Sequence, residues 1–371
     1  MILTIEPRQL SDHNSTTIID VRSPAEFAIG HIPGAKNIPI FNDEERALVG
    51  TRFNHAGKEA GFMLGLEIVG PKLSSYVKKL NQLIPVKSPL IIYCWRGGMR
   101  SNSMAWLFHQ AGHDVMLIKG GYKAFRAFIR GQIISLWHYN VVGGMTGSGK
   151  TDILHALKEL GQQVIDLEAI ACHKGSVFGH MGRNQQPSNE QFEIDIWDSL
   201  RKLDPAKPVF IEDESRSIGK VSMPEEFYQK LQHSTMFLVE MEIHERVKRL
   251  VREYGCFSSD ELIENTNKLR KYLGGAAHQK VIAEIENGNL EIAAEMLLGH
   301  YDKKYKESII NKTGRVIVPV GGYKSIEDQK VLEGSYRADE IVGVYEDVKV
   351  NHGDIIRMAE LIIQKAAQIE A

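Results

Sequence analysis

Short apolar runs alternate with longer amphipathic stretches along most of the 371-residue chain. Runs rich in Val, Ile, Leu and Phe predict buried strands, and stretches with helical periodicity between them predict helices. The predicted strands are residues 16–21, 36–40, 89–94, 114–120, 139–144, 162–168, 208–214, 235–242 and 314–320. Strands that alternate with helices in this way predict an α/β fold with parallel sheets.

The strands fall into two series, and the chain is longer than one hydrophobic core usually supports. We therefore expect a first domain over residues 1–130, a linker over 131–138 and a second domain over 139–371. The stretch around 243–310 reads as a helical insertion in the second domain. The C-terminal segment has the period of an amphipathic helix, capped by Asn351 or Asp354.

Composition and charge are those of an ordinary soluble protein, with 43% hydrophobic and 25% charged residues. The sequence has no apolar run of membrane-spanning length and no signal-peptide pattern at its N-terminus. Its three cysteines are widely spaced, which argues against a disulfide framework and predicts a cytoplasmic location. A formal net charge of −2 means that a nucleic-acid partner would need a local basic patch.

Residues 144–151, "GMTGSGKT", match the P-loop pattern G-x-x-x-x-G-K-[ST] between a predicted strand and a predicted helix. Glycines let backbone amides surround an anion, and the helix N-terminus adds partial positive charge. Lys150 is expected to reach phosphate oxygens, and Thr151 to offer a ligand to Mg²⁺. The predicted phosphate-binding residues are Gly144, Thr146, Gly147, Ser148, Gly149, Lys150 and Thr151.

Two other segments of the second domain carry polar residues that we expect near the P-loop. Glu212 and Asp213 end a predicted strand, where a carboxylate could bind Mg²⁺ through water, and Arg216 follows them. The alternatives are a strand cap for the acids and a solvated arginine. The loop 173–179, "HKGSVFG", is predicted to form active-site wall, with a surface turn as the alternative. Its candidate residues are His173, Lys174 and Ser176.

The stretch 93–101, "YCWRGGMRS", places Cys94 between an apolar strand and a glycine-rich loop that leads into a helix. Loop amides, the helix N-terminus and two arginines would lower the thiol pKa and raise the thiolate fraction, as a nucleophile requires. Cys94 is therefore the predicted catalytic residue. The predicted anion-binding residues are Arg96, Gly97, Gly98 and Arg100.

The segment 20–40, "DVRSPAEFAIGHIPGAKNIPI", resembles the N-terminal signature of rhodanese domains, and Cys94 lies where that family has its catalytic cysteine. The loop from Cys94 to Arg100 is one residue longer than in sulfurtransferase rhodaneses and matches cysteine phosphatases of the same fold. A wider loop should admit a larger anion than sulfane sulfur. A phosphatase and a chalcogen transferase with a phosphorylated donor both remain open, although the loop lacks a phosphatase's acidic proton donor.

The whole sequence resembles the tRNA 2-selenouridine synthase family, through "DVRSPAEFAIGHIPGA", "YCWRGGMRS", "GGMTGSGKT", "DLEAIACHKGSVFG", "QPSNEQFE" and "IEDESRSIG". The resemblance implies conversion of wobble 2-thiouridine in tRNA to 2-selenouridine. It further implies selenophosphate as donor and an S-geranylated intermediate made from geranyl diphosphate. Cys94 would attack or hold selenium, and the P-loop would hold the diphosphate. No tightly bound cofactor is implied, and Mg²⁺ is expected only at the P-loop.

The candidate tRNA contacts are basic residues of the predicted helical insertion: Arg246, Lys248, Arg249, Arg252, Lys268, Arg270 and Lys271. Glutamates lie among them, so a solvated helix face is the alternative. Two other functions compete with tRNA modification. One is a rhodanese-type sulfurtransferase fused to a P-loop kinase or ATPase, which predicts nucleotide turnover without tRNA. The other is a regulatory module in which bound nucleotide controls partner docking, and the complete Cys94 loop argues against it.

Overall fold

The computed structural model describes residues 2–13, 15–135, 137–310, 315–320 and 355–370. They form two compact units, each with its own parallel sheet. The first unit comprises Met1–Ser135 and Pro187–Asp198, and the second comprises Leu136–Gln186 and Ser199–Ala371. The α/β class predicted from the sequence is confirmed.

The first unit contains five strands and five helices before its final segment. Its strands are β1 (Leu3–Ile5), β2 (Thr17–Asp20), β3 (Lys36–Asn37), β4 (Pro89–Tyr93) and β5 (Asp114–Ile118). Its helices are α1 (Pro24–Ile29), α2 (Asp43–Val69), α3 (Leu73–Leu83), α4 (Met99–Gln110) and α5 (Gly121–Ser135). Short 3₁₀ helices cover Pro7–His13 and Gly70–Lys72. Helix α2 is interrupted at Gly57, whose backbone (φ 88°, ψ 175°) is not helical.

The second unit contains the remaining strands and most of the remaining helices. The strands are β6 (Tyr139–Gly144), β7 (Gln163–Ile165), β8 (Val209–Glu212), β9 (Ser217–Ile218), β10 (Val221–Ser222), β11 (Thr235–Val239) and β12 (Ile317–Val320). In chain order, the remaining described helices of both units are α6 (Lys150–Glu159), α7 (Leu167–Ala171), α8 (Asn189–Leu200), α9 (Glu225–Gln232), α10 (Ile243–Tyr254), α11 (Ser259–Asn267), α12 (Arg270–Leu273), α13 (Gly275–Glu286), α14 (Leu290–Ile310) and α15 (Ile355–Glu370). Most of α8 belongs to the first unit.

The first sheet has the order β1-β5-β4-β2-β3, with all neighbours parallel. Its central strand β4 is buried on both faces because helices cover both sides. Leu90 and Ile92 pack with α3 and α4, whereas Ile91 and Tyr93 pack with α5. Cys94 directly follows Tyr93, the last residue of β4. It therefore lies at the carboxyl end of the strand, where ligands bind in sheets of this kind.

The second sheet has the order β12-β11-β6-β8-β7, again with all neighbours parallel. Strand β6 lies in its centre and leads directly into the P-loop and α6. Val142 of β6 belongs to the same buried cluster as Ile153 and Leu157 of α6 and Met358 and Ile362 of α15. The predicted C-terminal helix is thus α15, which helps to bury the helix that follows the P-loop. Its predicted caps, Asn351 and Asp354, lie outside the described residues.

The predicted helical insertion corresponds to α10–α14. These helices have a hydrophobic cluster separate from the sheet, with Phe178, Leu262, Val281 and Ile285 among its buried members. Within the described ranges, no helix is both long and apolar enough to cross a membrane.

The unit boundary differs from the predicted one in two respects. Residues 131–135 continue α5, so they are helix rather than linker. The segment Pro187–Asp198 joins the first unit although it lies within the second series of elements. Side-chain packing accounts for this, because Ile194 is fully buried in the same cluster as Phe125 and Ile129 of α5.

Candidate functional site

The thiol site of the first unit lies where β4 ends and α4 begins. Cys94 is buried, and its Sγ is 3.2 Å from the Oγ of Ser101 in the first turn of α4. The Ser101 hydroxyl also lies 3.1 Å from the Gly98 carbonyl, to which it donates. A serine hydroxyl has a single proton, so while that proton is donated to Gly98 the Ser101 oxygen accepts from the Cys94 thiol. Ser101 was absent from the predicted site.

Glycines bring the Cys94 loop into contact with the start of α5. Tyr122 N–H donates to the Cys94 carbonyl at 2.9 Å, and Lys123 N–H donates to the Trp95 carbonyl at 3.0 Å. Gly121 has φ of +61°, and a Cβ at this position would overlap the Cys94 carbonyl. The predicted Gly97 also has a positive φ, +64°. The loop therefore needs glycine on both sides of this contact.

The two arginines of the thiol site have different surroundings. Arg100 donates from Nη1 to Glu26 at 2.6 Å, whereas Arg96 is exposed. Burial opposes ionisation of Glu26, but hydrogen bonds and charge from Arg100 outweigh it and hold the carboxyl pKa below its ordinary value. Arg100 is thus held beside the loop by a carboxylate, and an anion in the loop would share it with Glu26.

The rhodanese-like signature in the first unit is largely structural. Asp20 and Arg22 form a fully buried ion pair at 2.6 Å, and Arg22 also donates to the Gly30 carbonyl. The guanidinium lies 3.8 Å from the centroid of the Tyr122 ring. A buried charge needs such partners. The pair therefore joins the end of β2 to the helix that supports the Cys94 loop.

The P-loop of the second unit has the backbone that its glycines predict. Gly147 and Gly149 have φ of +78° and +82°, and Gly149 is the residue before α6. Lys150 Nζ donates to the Gly144 carbonyl at 3.1 Å, which places the ammonium over the loop. The Thr151 hydroxyl donates to Glu168 at 3.2 Å.

A hydrogen-bond chain from distant segments supports the P-loop. Gly144 N–H donates to the Tyr305 hydroxyl at 2.8 Å, and Tyr305 donates to Asp213 at 3.3 Å. The buried Arg315 donates to the other Asp213 oxygen at 2.9 Å. Both carboxylate oxygens of Asp213 therefore accept hydrogen bonds from protein donors, so this residue positions the loop rather than serving as an unengaged metal ligand. Tyr305 and Arg315 were not predicted.

Three carboxyl groups cluster beside Lys150. Glu212 accepts a hydrogen bond from Glu168 N–H at 2.6 Å. Burial raises the pKa of Glu214 to about 8, with Lys150 opposing the shift and Glu168 adding to it. Burial likewise raises the pKa of Glu168 and of Glu212, and the neighbouring carboxylates contribute. Glu214 is therefore largely protonated at neutral pH. Glu168 and Glu214 were missed, although both lie in stretches that carry the family resemblance.

A cavity of about 710 Å³ lies over the P-loop and is of the size that small-molecule ligands occupy. Glu168 and Glu214 form part of its wall. The cations in the wall are Lys150, Lys174, Arg183, Arg249, Arg252 and Lys304. Lys174 pairs with Glu253, and Arg249 pairs with Asp152. So many cations around a P-loop suit a ligand with several negative charges.

The other predicted wall residues divide into two groups. Lys174 and Ser176 line the cavity. His173 is buried, stacked 6.3 Å from the ring of His180, and Arg216 is half-exposed and pairs with Glu225 at 2.8 Å. Neither His173 nor Arg216 is part of the cavity wall.

The predicted tRNA contacts also separate. Arg246 is buried, donates to the Thr146 carbonyl at 2.8 Å and pairs with Asp302, so it is a structural support of the P-loop rather than a tRNA contact. The sequence did not indicate this structural role, because Arg246 lies in a basic, amphipathic stretch. Arg249 and Arg252 line the cavity. The remaining candidates are exposed on the surface: Lys248, Lys268, Arg270 and Lys271.

Comparison with known proteins assigns both units. Residues 137–331 match the family model described as tRNA 2-selenouridine synthase AAA domain, and residues 6–128 match the rhodanese-like domain. A tRNA 2-selenouridine synthase of Nitrosomonas europaea is 40% identical over 246 residues, which are 64% of this chain and 63% of that protein. Namesakes from Pseudomonas fluorescens Pf0-1 and Marinobacter nauticus are 33% and 30% identical, covering 82% and 83% of this chain and 91% and 92% of theirs.

Proposed function

The chain belongs to the tRNA 2-selenouridine synthase family, and on that premise we propose that it replaces sulfur by selenium at the wobble 2-thiouridine of tRNA. Selenophosphate is the selenium donor, and geranyl diphosphate first activates the sulfur. The observation that carries this proposal is the cavity over the P-loop, where Lys150 and the loop amides offer a site for a diphosphate. The buried Cys94 beside an anion-binding loop supports the selenium step.

In the first step the C2 sulfur of the base attacks C1 of geranyl diphosphate. The C1–O bond breaks, its electron pair leaves with the diphosphate, and the base loses its N3 proton. Lys150 and the loop amides stabilise the charge that develops on the leaving group. Glu214, in the wall of the same cavity, accepts the proton when it is ionised.

Magnesium fits the P-loop as a companion of the diphosphate. Among the described residues, no group of three or more His, Cys, Asp or Glu side chains could hold a metal ion by itself. Mg²⁺ bound with a phosphate ligand takes most of its ligands from phosphate and water, so the Thr151 hydroxyl is a sufficient anchor. A bound ion would neutralise charge on the diphosphate.

In the second step selenium from selenophosphate adds to C2, and the C2–S bond breaks as geranyl thiolate departs. Water then cleaves the P–Se bond and releases phosphate, so the exchange involves no net oxidation. Arg96, Arg100 and the loop amides bind the phosphate part. Cys94 contacts selenium, and the hydrogen bond with Ser101 fixes the position of its sulfur.

The decisive test uses the purified chain with thiolated tRNA, geranyl diphosphate and selenophosphate, followed by digestion and mass analysis of the nucleosides. We expect geranylthiouridine without selenophosphate and selenouridine with it. Rapid hydrolysis of ATP without tRNA, and no modified nucleoside, would instead favour a sulfurtransferase fused to a P-loop kinase or ATPase.

A further inference from the structure

A second cavity, of about 80 Å³, lies in the helical part of the second unit. Helices α10, α11, α13 and α14 form it together with Phe178, and its wall is almost entirely hydrophobic. Leu262, Ile285 and Ala293 in this wall are buried members of the helical hydrophobic cluster. An opening of this kind in a hydrophobic cluster binds apolar groups rather than water.

The apolar cavity adjoins the cavity over the P-loop, here called the phosphate cavity. Both cavities share five wall residues: Thr146, Ser176, Leu250, Tyr254 and Tyr301. Thr146 belongs to the P-loop itself. A ligand with its phosphates on the P-loop would therefore have its remaining part close to the wall that the two cavities share.

We propose that the apolar cavity binds the hydrocarbon chain of an allylic diphosphate and that its small volume limits the length of that chain. The proposal rests on the proposed function, because the diphosphate lies on the P-loop. Leu262 of α11 and Ile285 of α13 line the apolar cavity alone, so they would contact the chain and not the phosphates.

The volume sets the expected chain length. One water needs about 10–15 Å³ on this measure, so the cavity has room for roughly six waters. That space suits a short branched chain of one to two isoprene units, with the diphosphate outside it. Each buried methylene strengthens binding about fourfold. Geranyl diphosphate should therefore bind at least about tenfold more tightly than dimethylallyl diphosphate, and farnesyl diphosphate no more tightly than geranyl diphosphate.

The test is calorimetric titration of the full chain with four probes: inorganic diphosphate and the dimethylallyl, geranyl and farnesyl diphosphates. Ala294→Phe places a ring in the apolar cavity, because Ala294 of α14 lines it. The matched control is Ala283→Phe on α13, where the side chain is exposed and lies outside the wall. We expect Ala294→Phe to weaken the binding of geranyl diphosphate at least about tenfold and the binding of inorganic diphosphate less than twofold. The control variant should change neither affinity.

Leu297→Ala tests the length limit in the opposite direction, since Leu297 lines only the apolar cavity. It should raise the affinity for farnesyl relative to geranyl diphosphate. Equal affinity of wild type for geranyl and inorganic diphosphate, or an equal loss of both in Ala294→Phe, would overturn the chain-binding role. If Leu297→Ala leaves the ratio of the affinities for farnesyl and geranyl diphosphate unchanged, the proposed limit on chain length is wrong. Chain-dependent binding without transfer to thiolated tRNA would contradict the proposed function while supporting the cavity.

Discussion

At the scale of single residues, the environment of Cys94 combines burial with a hydrogen-bond partner, Ser101. The sulfur lies 3.2 Å from Ser101 Oγ, next to the N-terminus of α4. The sequence predicted the loop and the helix because they are contiguous with Cys94. The Ser101 contact follows from the helical turn, which brings a residue seven positions later back to the sulfur.

Cys94→Ser should abolish selenation and leave geranyl transfer intact, because the P-loop alone serves the first step. The measurement is the ratio of geranylthiouridine to selenouridine after digestion of the tRNA. Cys256→Ser is the control, since Cys256 is an exposed free cysteine. Normal selenouridine formation by Cys94→Ser would contradict the assigned role.

Because of Glu214, we expect the stability of the folded protein to depend on pH. Burial raises its pKa from 4.5 to about 8, so the folded protein holds a proton that the unfolded chain releases at lower pH. Stability from this group is complete below about pH 4.5 and is lost as pH rises through about 8. Glu214→Gln should flatten the fall in melting temperature between these values.

Geranyl transfer should show the opposite trend if Glu214 accepts the N3 proton. Its rate should rise with pH through about 8, as the carboxyl ionises. In Glu214→Gln the rate should be low and lack this rise. A variant that keeps both the rate and the pH profile would show that another group accepts the proton.

At the scale of elements, each site depends on a strand end joined to a helix start. Lys150→Ala removes the ammonium over the P-loop and should slow geranyl transfer about 100-fold or more, since a preorganised charge on the leaving group is lost. Lys158→Ala, exposed on the same helix α6, is the control. Single-turnover transfer to thiolated tRNA measures both, and equal rates would refute the diphosphate role.

Two glycines of α5 give a matched test of the loop contact. Gly121→Ala should destabilise the protein and reduce selenation, because φ is +61° and the new Cβ would overlap the Cys94 carbonyl. Gly131→Ala meets nothing within 4 Å and lies in the same helix, so it should stabilise by up to about 1 kcal/mol. Thermal unfolding should separate the two variants in opposite directions, and similar shifts would contradict this account of Gly121.

At the scale of the whole molecule, chain order and compact units do not coincide. The segment Pro187–Asp198 completes the first unit, where Glu193 pairs with Arg126 at 2.5 Å and with Arg130 at 2.9 Å. The sequence pattern of this stretch is typical of a helix, but it does not indicate against which of the two hydrophobic cores the helix packs. The sequence-based boundary therefore followed chain order alone.

By itself, the sequence determined the α/β class, the P-loop and the Cys94 loop, because each motif is local and its backbone is set by glycines within a few residues. Only the tertiary structure decided which charges serve the sites. Arg246 is buried and pairs with Asp302. Asp213 accepts hydrogen bonds from both Arg315 and Tyr305. Burial and pairing depend on partners distant in sequence, and the cavities arise only where separate helices pack together.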